Sequence, residues 1–244
     1  MTAIISTYDK NHSLEFIVLR HLHCWQSNFN MMDKTIFKVG FWSGLIAFGT
    51  TLAFVIVQLL QIFGIFSSPL DEILIYGTSL CIVIPFLLEI LALHYATPDD
   101  KKFWSHAALI FSIIYAVFVT ANYVVQLATV IPMKIKGTSQ EISILEQTPH
   151  SMFWDFDALG YIFMGIAMLM ALPVFEKYGF QKWVRLSFLA NAAITPFIAF
   201  VYFYPSYSTK LLFLGFPWAI TAPIAMLLLA IMFKRKYKKK HYTG

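Results

Sequence analysis

Residues 103–132, FWSHAALIFSIIYAVFVTANYVVQLATVIP, are long and apolar enough to cross a bilayer as one helix. At about 100° per residue, Ser105, Ser112, Tyr115, Asn122, Tyr123 and Gln126 fall within a stripe about 100° wide. The opposite face carries Ile110, Ile113, Ile114, Val117 and Val124. Lipid cannot satisfy an amide or a hydroxyl, so a membrane helix with one polar stripe packs that stripe against other helices. This segment is therefore expected to be the inner post of a bundle.

The rest of the chain repeats the pattern. Apolar spans are expected at 36–64, 71–97, 103–132, 156–175, 181–204 and 209–233. With 59% hydrophobic and 13% charged residues, the chain departs far from a soluble domain. The expected fold class is all-α, a polytopic six-helix transmembrane bundle with short loops over 36–233. Residues 1–35 precede it, and a basic tail, 234–244, follows it.

Within 1–35 the run SLEFIVLRHLHCW is too short to cross a bilayer and is only imperfectly amphipathic, so a helix lying at the membrane interface is expected. His21, His23 and Cys24 make a poor helical metal site, because positions two apart point in nearly opposite directions. No cleavable leader is evident. Two cysteines, Cys24 and Cys81, offer neither a disulfide framework nor a zinc spacing.

All but Lys134, Lys136 and Lys210 of the 18 Lys and Arg residues fall on one side of this topology. The positive-inside rule then places both termini in the cytoplasm of a multi-pass cell-membrane protein. A net charge of +5 concentrated at membrane edges and in KRKYKKK points to anionic lipid headgroups and not to nucleic acid.

Polar side chains gather in the outer half of the bundle. Asn122, Tyr123, Gln126, Asp157, Tyr161, Asn191 and Thr195 are the candidate lining of an outward-facing pocket between the third, fourth and fifth spans. Amides, hydroxyls and aromatics suit a neutral or zwitterionic small molecule, bound or transported. The same residues equally serve as bonds between helices.

Glu89 lies about 12 Å from the inner end of the second span, where an acid needs a polar partner or a water route. It is the candidate for proton or cation coupling. The bland alternative is a carboxyl bonded to backbone kinked by Pro85.

His150, Asp155 and Asp157 raise a second possibility, a lipid-acting hydrolase or transferase at the outer surface. The two acids also suit the start of the fourth helix, where its dipole favours negative charge. A third possibility is a non-catalytic subunit or sensor. Gly40, Gly44 and Gly49 predict close helix contacts, and Thr138-x-x-Glu141 predicts a capping box. The chain carries no Gly-rich phosphate loop and no paired intramembrane histidines of a b-type haem protein, and no motif names a cofactor.

Overall fold

A computed structural model describes residues 34–242. Six helices are long and apolar enough to cross a membrane, and the chain is a multi-pass helical membrane protein. They are α1 (Lys34–Ile62), α2 (Leu70–Tyr95), α3 (Asp99–Ile135), α4 (Met152–Val174), α5 (Gly179–Phe203) and α6 (Trp218–Lys239, helical to Tyr242). No strand occurs among the described residues. The expected interfacial helix, His21, His23 and Cys24 lie outside them.

The helices run up and down. The start of α1, the end of α6, the α2–α3 turn and the α4–α5 turn share one end of the bundle, called here the basic end. The three other connections share the far end. α3 is the central post, packed on α2 and most extensively on α4; α5 lies between α4 and α6. α1 closes the bundle against α2 and α6, with Phe54 edge-on to Trp218 and the Thr51 hydroxyl 3.2 Å from Met226 Sδ.

The polar stripe of α3 faces inward as its period requires. Ser105, Ser112, Tyr115, Asn122, Tyr123 and Gln126 are all buried, while Ile110, Ile113, Val117 and Val124 are exposed on the lipid side. Several hydroxyls in or at the ends of the spans are satisfied locally. Thr51, Thr78, Thr97 and Ser112 each donate to the carbonyl four residues earlier, so they place no unpaired polar atom against lipid.

α3 widens into a π-helical turn at Gln126–Val130 before resuming at Ile131–Ile135. Pro132 has no N–H, and its ring crowds the carbonyl four residues back, so a wider turn relieves both problems. Gly137, at φ +80°, then ends the helix in a conformation that a side chain disfavours.

Several expectations need correction. Gly40 and Gly44 are contact glycines, but Gly49 is exposed and meets nothing within 4 Å. Thr138 makes no side-chain cap; its hydroxyl donates back to Met133 O, and 139–145 is a 3-10 helix. The sixth span starts at Trp218, not at 209, because 204–217 is a folded connector containing one helical turn, Thr209–Leu212.

Pro85, Pro196 and Pro223 sit inside continuous helices. The basic tail prolongs α6. Lys234 covers the Phe41 ring at 5.2 Å, and Arg235 covers Phe180 at 3.9 Å, fastening the end of α6 to α1 and α5.

Candidate functional site

Three of the candidate residues converge at the far end of the bundle: Tyr123, Asp157 and Tyr161. Asp157, in the second turn of α4, is 5% exposed. Its Oδ1 accepts from the Tyr123 hydroxyl at 2.6 Å, and its Oδ2 accepts from the Tyr202 hydroxyl. Tyr202 is held in turn by Trp154, whose ring lies 4.5 Å away and whose Nε1 donates to Tyr202 O. The acid is thus gripped by α3 and α5 at once. No described Lys, Arg or His pairs with it.

Asp157 therefore does not begin the helix. Ser151 is the N-cap of α4 and accepts from Trp154 N, while exposed Asp155 occupies the first turn. His150, Asp155 and Asp157 do not form one group. His150 and Asp155 are exposed, whereas Asp157 points into the bundle from a position two residues, or about 200°, around the helix from Asp155. No cluster that could hold a metal ion occurs among the described residues.

One chamber adjoins Asp157, and a second lies beyond its partner Tyr202. The smaller, ≈ 20 Å³, has Asp157, Tyr115, Tyr123 and Met164 in its wall and room for about one water molecule. The larger, ≈ 210 Å³, lies between α1, α4, α5 and the connector, against Val55, Gln58, Leu59, Ile198, Val201 and Phe216. Phe54, Tyr161 and Trp218 line both and form the partition. Tyr202 lines the larger chamber and bonds the acid of the smaller one.

One polar group at this partition has no partner among the described residues. The Trp218 Nε1 is buried and makes no hydrogen bond to a described residue. The Tyr161 ring stands edge-on to Trp218 at 4.9 Å. An indole N–H nearly always finds an acceptor when buried, because leaving it unpaired costs about 1–3 kcal/mol.

The other candidates hold the fold together. Asn122 Nδ2 donates to Gln147 Oε1 at 3.0 Å, Gln126 Nε2 donates to Leu145 O at 2.8 Å, and Gln126 Oε1 accepts from Gln147 N. These amides clamp the α3–α4 connector onto the bundle. Asn191 accepts from Thr221 at 3.0 Å and donates to Met168 Sδ, tying α5 to α6 and α4. Thr195 donates to Asn191 O and fills the space left by Gly165, whose missing Cβ would fall on the Thr195 hydroxyl. Neither Asn191 nor Thr195 lines either chamber.

Glu89 is fully buried toward the basic end, and both its carboxyl oxygens make no hydrogen bond to a described residue. It occupies the gap left by Gly44, where an added Cβ would collide with Oε1, and Ala230 closes the other side. Gly44 is ten residues before Phe54 on α1, so Glu89 is about 15 Å from the chambers along the bundle. His94 does not pair with it and instead meets Ser105 at 3.0 Å.

Reasoning from sequence overlooked the apolar share of this site: Phe54, Ile198, Val201 and the connector. Tyr202 and Trp218 carried a usable signal. Tyr202 shares the face of Ser187, Asn191 and Thr195, and Trp218 belongs to the outer polar layer.

Compared with known proteins, the chain matches no family model, no curated protein and no solved structure.

Proposed function

We propose that this protein binds a small molecule in the larger chamber, at the far end of the bundle. The observation that carries the reading is the pairing of a ≈ 210 Å³ mostly apolar cavity with the unpaired, buried Trp218 Nε1 at its wall. A mainly apolar enclosure with a few oriented polar groups is the usual make-up of a small-molecule site. A ligand acceptor, an oxygen or the π face of an aromatic ring, would satisfy the indole donor, and the aliphatic walls would cover an apolar body.

The test is native mass spectrometry in mild detergent after delipidation, with 4-phenylbutanol as probe. The wild-type protein is expected to retain the probe. Ala219→Phe fills the chamber from the start of α6 and is expected to weaken retention at least about tenfold, the loss of some 1.4 kcal/mol of contact. Equal retention by both proteins would refute the assignment.

The proposed orientation puts both termini in the cytoplasm and the chamber on the outer side. It is supported by the placement of every described Lys and Arg except Lys134, Lys136 and Lys210 toward the basic end. A reporter fused after Gly244 that is active only in the cytoplasm is expected to be active; a silent reporter, with the reversed fusion active, would invert the topology.

A further inference from the structure

We infer that Asp157 is the counter-ion for a ligand ammonium group, so that the site takes an amphiphilic amine. The inference rests on the small-molecule reading above and names the ligand's chemical class.

The acid has capacity to spare. The two carboxylate oxygens offer four lone pairs; two phenols and the Gln147 side chain approach three of them, so one further donor is accommodated. The protein supplies no cation to it among the described residues. An ionised carboxylate sealed from water is costly without an opposite charge, and a ligand can bring that charge.

The surrounding walls suit a cation as well. Tyr115, Tyr161, Trp218 and Phe54 face the same small chamber. Aromatic faces attract an ammonium through the ring quadrupole, most strongly where water is excluded. Tyr161 stands at right angles to Trp218 and lies 6.0 Å from Tyr202, so the rings meet the chamber from different directions.

Size and position set the rest of the ligand. The smaller chamber, ≈ 20 Å³, suits a small polar head, and the larger, ≈ 210 Å³, suits an apolar body. A nitrogen near Asp157 with its substituent passing the partition, the Tyr161 ring turned aside, places that body against Leu59, Ile198 and Val201. The Tyr161 hydroxyl makes no hydrogen bond to a described residue, so that ring has no polar anchor to break when a ligand passes the partition.

The probes are 4-phenylbutylamine and its neutral isostere 4-phenylbutanol, titrated by calorimetry into protein in nanodiscs, with empty discs subtracted. The amine is expected to bind wild-type protein at least about thirtyfold more tightly than the alcohol, and Asp157→Asn is expected to abolish that preference, as loss of a buried charge partner does. If both probes bind wild-type protein equally, the amine assignment is overturned and the cavity stands. If neither binds, the cavity assignment fails and the amine assignment with it. The wild-type comparison decides the matter even if Asp157→Asn does not fold.

Discussion

Glu89→Met is expected to stabilise the folded protein by about 2 kcal/mol or more. Both carboxyl oxygens are buried among α1, α2 and α6 without a hydrogen bond to a described residue. Each unpaired buried polar atom costs about 1–3 kcal/mol, and replacing it with an apolar group of similar shape removes that cost. Methionine has nearly the same length and enough flexibility to follow the gap beside Gly44. Unfolding in detergent, titrated with a denaturing surfactant, measures the difference. Glu89→Gln keeps two polar atoms in the same place and is expected to change stability much less. If Glu89→Met unfolds more easily than the wild type, then water or an ion bonds the carboxyl in the native protein. A stabilising result has a functional meaning too. It marks an acid maintained at a standing cost to the fold, as a proton- or cation-coupling group would be, about 15 Å from the chambers.

The architecture was legible because the membrane leaves few choices. Every backbone group must be paired within its own helix, so each long apolar run becomes one span, and a polar stripe must turn inward. The period of 103–132 therefore located the burial of Asn122, Tyr123 and Gln126 correctly. What those residues bond to was not legible. The partners of Asn122 and Gln126, Gln147 and Leu145, sit on a connector whose path depends on tertiary packing. The start of the sixth span was misplaced for a related reason. LLFLGF is as apolar as a membrane helix, and hydropathy alone does not separate a span from a connector that folds over the bundle end. The larger chamber was invisible in the sequence. Leu59, Ile198 and Val201 look the same whether they fill a core, face lipid or enclose a void, and only the spacing of the finished helices distinguishes these cases.

Asp157→Ala is expected to destabilise the protein by about 3 kcal/mol or more, well beyond the effect of losing a bond on a helix surface. The carboxylate is the shared acceptor of α3 and α5, through Tyr123 and Tyr202. Truncation orphans two phenol hydroxyls at about 1–3 kcal/mol each and leaves a void where the carboxylate stood. The two tyrosines do not suffer equally. Tyr123 is buried and stacked on Tyr76 at 5.7 Å, so its hydroxyl has only the Ser79 hydroxyl and the one-water chamber to turn to. Tyr202 is half-buried and already lines the larger chamber, where its hydroxyl can turn toward water or ligand. Adding Tyr123→Phe to Asp157→Ala is therefore expected to recover about 1–2 kcal/mol by removing the trapped donor, whereas adding Tyr202→Phe recovers little. The same unfolding titration reads all four proteins. Equal recovery from both tyrosine changes would show that the acid binds α3 and α5 symmetrically and that Tyr202 is as sealed as Tyr123; that would remove the route by which a ligand in the larger chamber reaches the buried carboxylate.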